Sequence, residues 1–261
     1  MQNKVPENRI DHSPVLRTSF FRFYEELNEF LPKEKAKKTF PVSFTGKPSV
    51  KNTIEMLGVP HTEIDLILVD GTSVDFGYQL EGGEQVSVYP VFESLDISPL
   101  IRLRSKPLRN TNFIVDVNLG KLARKLRLLG FDTLFRNDFE DAEIIRIAAK
   151  EKRIILTRDK GILKCSEVTH GYWLRNTEPS LQLEEVVERL QLRNSFKPFT
   201  RCTHCNHKLR SVGKKEIADR LPSDTLQYYA EFWECEGCKN IYWEGSHFDS
   251  ILHWIEKLKE M

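Results

Sequence analysis

The amino-acid sequence predicts a mixed α/β protein in three parts: a β-grasp domain, a doubly wound parallel-sheet domain and a small cysteine-knuckle module. Three patterns predict it. Two β-rich runs, a helix and three further β-rich runs fill residues 15–92. Strand and helix patterns then alternate over residues 112–194, which requires parallel strands joined by right-handed crossovers. Beyond residue 197 the chain carries two Cys-x-x-Cys pairs. The expected boundaries are 1–95, a basic linker at 96–111, then 112–196 and 197–261.

In the first part, VLRTSFFRF and KTFPVSF read as paired strands. PSVKNTIEMLG reads as a helix with Val50, Ile54 and Leu57 on one face and Gly58 as its stop. IDLILVDG, VDFGYQL and EQVSVYPVF complete the sheet as three short strands. This part resembles ubiquitin-like and sulfur-carrier domains, notably in LILVDG and VSVYPVF. Carrier chemistry needs a free Gly-Gly terminus, whereas here the chain runs on through FESLDISPLIRL, so an interaction or folding role is expected instead.

In the second part, FIVDV is a strand. The helix NLGKLARKLRLLG after it puts Leu119, Leu122, Ala123, Leu126 and Leu129 on one face and Lys121, Arg124 and Lys125 on the other. Gly130 ends that helix. FDTLF, the helix DAEIIRIAAKEK, the strand RIILT, GYWLRN and the helix PSLQLEEVVERLQL follow in alternation. Ligands of such sheets bind just past the carboxyl ends of the strands. Three acids arrive there: Asp116 closes the first strand, Asp141 opens the second helix, and Asp159 closes the third strand in RIILTRDKG. Each has a helix-capping alternative. Together they would repel one another unless a hard divalent cation, Mg²⁺ or Mn²⁺, sat between them.

Cys202-x-x-Cys205 and Cys235-x-x-Cys238, with 29 residues between the pairs, suit a tetrahedral structural Zn²⁺. A helix or loop, KKEIADRLPSDTLQYY, is expected between them. His204 and His207 lie nearby, but four cysteines already complete the shell. Phe232, Trp233, Tyr242, Trp243 and Trp254 are expected mostly as this module's core, with one or two exposed for stacking on bases. The fifth cysteine, Cys165, reads as a small buried hydrophobe.

Global properties narrow the class. The cysteine count is odd and four of the five pair as two Cys-x-x-Cys units, which argues for metal and a reducing compartment over a disulfide scaffold. The amino terminus lacks an apolar signal core and no run reaches about 18 apolar residues, so a soluble, cytoplasmic protein without membrane contact is expected. Net charge is only +1, yet it is uneven: residues 1–92 hold 10 basic and 13 acidic side chains, and residues 109–196 hold 16 and 13. ISPLIRLRSKPLRN has four basic residues and no acid.

The run FIVDVNLGKLARKLRLLGFDT, then DAEIIRIAAKEKRIILTRDKGIL, resembles the mut-seven C-terminal RNase family, a branch of the PIN-like nucleases. FTRCTHCNHKL and FWECEGCKNIYWEGSHFDSI extend the resemblance through the zinc ribbon, and the β-grasp resembles that family's ubiquitin-like partner domain. The resemblance implies that Asp116, Asp141 and Asp159 are metal-binding catalytic acids and that Asn118 is the polar residue beside the first. PIN-type nucleases often have a fourth acid, for which Asp138, Glu143 and Glu178 are candidates. The expected reaction is metal-dependent hydrolysis of RNA phosphodiester bonds, on single strands because a shallow rim has no groove-reading element. Lys121, Arg124 and Arg158 are expected to contact phosphates. The ubiquitin-like domain is expected to meet a protein partner. The alternative is a non-catalytic RNA- or ribosome-binding adaptor that keeps the acids for stability.

Overall fold

The computed structural model describes residues 15–90 and 111–260, which belong to two separate units. The basic linker lies almost wholly outside the described residues.

The first unit runs β1 (Leu16–Phe23), β2 (Phe40–Thr45), α1 (Val50–Met56), β3 (Ile64–Val69), β4 (Thr72–Val74) and β5 (Gln85–Pro90). Its sheet has the order β2-β1-β5-β3-β4, with β1 and β5 parallel and the other neighbours antiparallel. This is the expected β-grasp. Strand alternation buries Phe21 and Phe23 from β1 and Val86 and Val88 from β5, and Val50 and Ile54 of α1 are buried as well. Ser49 caps α1 by accepting the Asn52 N–H at 3.2 Å, and Gly58 leaves it at φ +105°. The expected strand VDFGYQL is mostly a turn. Val74 ends β4, and the Asp75 carboxylate takes the Gly77 N–H at 2.8 Å, a local bond that outcompetes the ladder.

The second unit contains β6 (Phe113–Val115), α2 (Gly120–Leu128), β7 (Thr133–Leu134), α3 (Asp141–Glu151), β8 (Ile154–Thr157), α4 (Lys160–Lys164), β9 (Gly171–Trp173) and α5 (Pro179–Arg189). The strands form an all-parallel sheet in the order β7-β6-β8-β9. Because successive strand residues face opposite ways, Phe113 and Val115 pack under α2 and α5, while Ile114 and Ile155 pack under α3 and α4. FDTLF yields only a two-residue strand at this sheet's edge.

The chain then forms β10 (Leu209–Val212), α6 (Lys214–Ile217), α7 (Ser223–Tyr228), β11 (Phe232–Cys235) and β12 (Ile241–Trp243), a three-stranded antiparallel ribbon. A last helix, α8 (Phe248–Glu260), returns Ile255 and Leu258 to the α2–α5 side of the parallel sheet. Trp254 packs there too, which corrects its expected place in the cysteine module's core. That small core is built from Val212, Ile217 and Phe232, so of the five aromatics expected to form it Phe232 alone does, and Trp233, Tyr242 and Trp243 stand outside it. Cys165 is half-buried against the α3–α4 core. No described helix is long and apolar enough to cross a membrane.

Candidate functional site

The strand order itself locates one candidate site. From β6 the chain moves outward to β7, then crosses back to β8 on the other side of β6. The crevice of a doubly wound sheet opens at such a reversal, past the carboxyl ends of the two strands. Asp116 follows β6 there, and Thr157, Arg158 and Asp159 end and follow β8.

Asp116 is buried, and its Oδ2 accepts the Thr157 hydroxyl at 3.0 Å. It makes no side-chain cap to the turn that follows, so helix capping does not account for it. The same Thr157 hydroxyl accepts the Asp159 N–H at 2.8 Å, so one side chain ties two of the acids together. Asp159 is exposed and does cap: its Oδ1 takes the Gly161 N–H at 2.6 Å at the start of α4. Asp141 is the exposed first residue of α3, with Glu140 in the cap position. The Asp141 carboxyl is held above its ordinary pKa, first by partial burial, then by the negative charges of Asp159 and Asp116. The three acids therefore sense one another across the strand ends.

They do not gather tightly. Among the described residues, the four cysteines alone bring three or more His, Cys, Asp or Glu ligand atoms within 4.8 Å of one another. A hydrated ion suits the looser arrangement, because Mg²⁺ keeps several waters and takes only one or two carboxylates directly. The hard oxygen donor set fits Mg²⁺ or Mn²⁺.

Asn118, Lys121, Arg124 and Arg158 are exposed on the turn after Asp116, along α2 and beside Asp159. The fourth-acid candidates differ. Arg136 pairs with Asp138 at 2.9 Å and with both oxygens of Glu143 at 3.0 and 3.1 Å. Glu178 stands in the cap position of α5 without a side-chain cap. Sequence reasoning overlooked Thr157, whose only signal was a hydroxyl closing an apolar strand. It also overlooked Trp173, which donates to the Arg158 carbonyl at 3.1 Å and carries Lys160 Nζ 4.1 Å above its ring.

The second candidate is the cysteine cluster. Its two knuckles repeat one backbone pattern. The Cys202 and Cys235 carbonyls accept the Asn206 and Lys239 N–H groups at 2.9 and 3.2 Å. The Cys202 and Cys235 N–H groups donate to His207 and Asn240 carbonyls at 2.8 and 2.9 Å. Asn206 and Lys239 both turn back at positive φ, +74° and +64°. Cys202 and Cys238 sulfurs lie 3.6 Å apart, and Cys205 and Cys235 sulfurs 3.2 Å apart. These spacings approach the ~3.8 Å edge of a tetrahedron with Zn–S bonds of about 2.3 Å, so the donor set fits Zn²⁺. Without metal the thiols share protons unequally. Burial opposes ionisation of Cys205, but the His207 N–H and the Cys235 and Cys238 thiols pull it down to about 5. Burial and the neighbouring sulfurs push Cys238 up to about 12. Neither His204 nor His207 joins the cluster.

Arg127 fastens this cluster to the parallel sheet. Its buried guanidinium donates to the Thr133 carbonyl at 2.9 Å and to the Thr203 and His204 carbonyls at 3.2 and 2.7 Å. Asn206 adds a further tie, its Oδ1 accepting the Thr133 N–H at 2.9 Å.

Comparison with known proteins agrees with this architecture. A family model described as the Mut7-C RNAse domain matches residues 111–255, and one described as Mut7-C ubiquitin matches residues 17–96. No curated protein and no solved structure matches the chain.

Proposed function

The chain belongs to the Mut7-C RNAse domain family, and from that membership together with the acidic strand ends we propose that it is a metal-dependent ribonuclease. The observation that carries the reading is Asp116, a buried carboxylate at the sheet's reversal point that caps nothing and is oriented by Thr157.

In this reading Asp116, Asp141 and Asp159 hold the catalytic ion. A bound Mg²⁺ or Mn²⁺ supplies polarisation of the scissile phosphate, activation of water and stabilisation of the leaving oxygen. The residues do the rest. Thr157 fixes the Asp116 carboxylate and the Asp159 backbone in one orientation, which lowers the cost of assembling the site. The raised pKa of Asp141 comes first from partial burial and then from the charges of Asp159 and Asp116, and a cation relieves the second part. Lys121, Arg124 and Arg158 hold flanking phosphates, and Asn118 hydrogen-bonds beside Asp116. A shallow rim favours single-stranded RNA, whose phosphates reach the acids without an intact groove. The four cysteines hold structural Zn²⁺, and the ubiquitin-like domain recruits a protein partner.

One observation favours the adaptor reading: Asp159 is already employed as a helix cap. Mn²⁺-dependent cleavage of a single-stranded RNA separates the two. Asp116→Asn should reduce the rate by at least about a hundredfold. Thr157→Val, which frees Asp116 without removing it, should reduce it about tenfold. Cleavage at the wild-type rate by the Asp116→Asn protein would return the chain to the adaptor class.

A further inference from the structure

We propose that the cleft between the cysteine ribbon and the flank of α2 is an RNA subsite that stacks bases of a single strand and leads its phosphates toward the acids. The proposal builds on the ribonuclease reading and adds to it where the substrate is gripped.

The cleft has a volume of about 980 Å³, at the upper end of sites that enclose a drug-sized molecule, so it has room for more than one base. Its walls are aromatic. Trp233 and Tyr242 stand opposite each other in the β11–β12 register, and Trp243, Phe199 and Phe248 line it as well. Trp243 is 37 % exposed, so part of its ring is open to a stacking partner. The platform is fixed in advance. The Tyr242 hydroxyl lies 3.0 Å from the Cys202 sulfur, so the cysteine cluster sets the angle of its ring.

Phe199 supplies an independent sign. It sits at φ +59°, a conformation that a bulky residue adopts only when its surroundings force it. Its N–H donates to the Leu128 carbonyl at 3.1 Å, and its ring lies 4.8 Å from that of Phe248. The ring packs partly against the parallel-sheet core and partly lines the cleft.

Charge selects the occupant. Arg124 and Lys125 enter from α2, and Glu244 is the cleft's one carboxylate among its described lining residues. Arg201 also lines it but is already paired with Asp132. Arg124 lies eight residues beyond Asp116, with the 3-10 turn Val117–Leu119 and the first turn of α2 between them. With Lys121 between them, the exposed face of α2 is a basic track from cleft to acids. Aromatic platforms beside a basic track are the pattern that binds single-stranded nucleic acid without reading a groove.

The test uses full-length, zinc-loaded Asp116→Asn protein, a fluorescein-labelled oligouridylate as probe, and buffer without Mg²⁺ or Mn²⁺. Anisotropy should show binding that Trp243→Ala weakens about tenfold and Trp243→Phe largely restores. Arg124→Gln should flatten the salt dependence of binding by about one counterion. Adding the oligonucleotide should quench tryptophan fluorescence of the parent, a readout that needs no cleft variant. Unchanged affinity in folded, zinc-loaded Trp243→Ala, or a parent without quenching, overturns the proposal. Failure of the ribonuclease reading looks different: Asp116→Asn would go on cleaving RNA while the cleft variants still lost binding.

Discussion

Four cysteine sulfurs come within 4.8 Å of one another, whereas the carboxylates of Asp116, Asp141 and Asp159 share a sheet edge without closing to that spacing. The difference lies in what gathers each set. The cysteines are brought together by two copies of one short backbone turn, each with a residue at positive φ and the same pair of main-chain hydrogen bonds. The acids come from three distant points of the chain, and the hydroxyl of Thr157 is what links two of them. A set preassembled by backbone suits a metal that holds a fold together. A set held loosely, with exposed members, suits an ion that must also admit substrate and water.

The contrast is broken most directly by removing one sulfur. Cys235→Ser should abolish zinc binding and leave β10–β12 unfolded, because binding worth about 10–16 kcal/mol in small zinc modules is folding free energy there. Metal analysis and hydrogen exchange across β10–β12 check this. Retention of one zinc with native protection would show that the ribbon stands without its full shell.

Next in size is Arg127→Met. It leaves the buried Thr133 carbonyl and the partly buried Thr203 and His204 carbonyls without their donor. A loss of about 3 kcal/mol in urea unfolding is expected, with zinc still bound. A change below about 0.5 kcal/mol would mean that the ribbon is secured to the sheet by other contacts.

These two effects also show how far the sequence could be read. The doubled Cys-x-x-Cys announced the cysteine cluster, because its members are neighbours in sequence and turn chemistry is local. The helix faces around Leu122 and Leu126, and the parallel sheet they cover, were legible from periodicity alone. Arg127 was not. On a helical wheel it is one more cation beside Arg124 and Lys125, and only the packing of the first knuckle against α2 buries it. The return of α8 to the parallel-sheet core escaped notice for the same reason, as did the turn at Asp75, where one side-chain hydrogen bond overrode a β-rich run. The acids lay between these extremes. Their arrival at one edge followed from topology, while Thr157 as their link depended on the β6–β8 register that pairs Val115 with Leu156.

The smallest effect concerns pH. Asp141 has its folded-state pKa raised by burial and by Asp159 and Asp116. Its neutral form is therefore favoured by folding. That contribution is full below the unfolded pKa and is lost as pH rises through the higher folded value. In metal-free buffer at neutral pH, Asp141→Asn should raise stability slightly, and added salt should shrink the gain because the group is exposed. Thermal melts of both proteins at pH 4 and pH 7 check this: the difference should appear at pH 7 and fade at pH 4. A larger gain at the lower pH would contradict mutual repulsion at the sheet edge.

Asp159 distinguishes a cap from a catalyst, since it holds the Gly161 N–H whatever else it does. Asn caps a helix about as well as Asp, so Asp159→Asn should melt within about 0.5 kcal/mol of the parent and keep its zinc. The decisive measurement is the single-turnover rate of Mn²⁺-dependent cleavage of a single-stranded RNA by this variant. A folded, zinc-loaded Asp159→Asn protein that has lost cleavage by about a hundredfold or more is the predicted result. The same protein cleaving at the parent rate would contradict it and leave Asp159 a helix cap and nothing more.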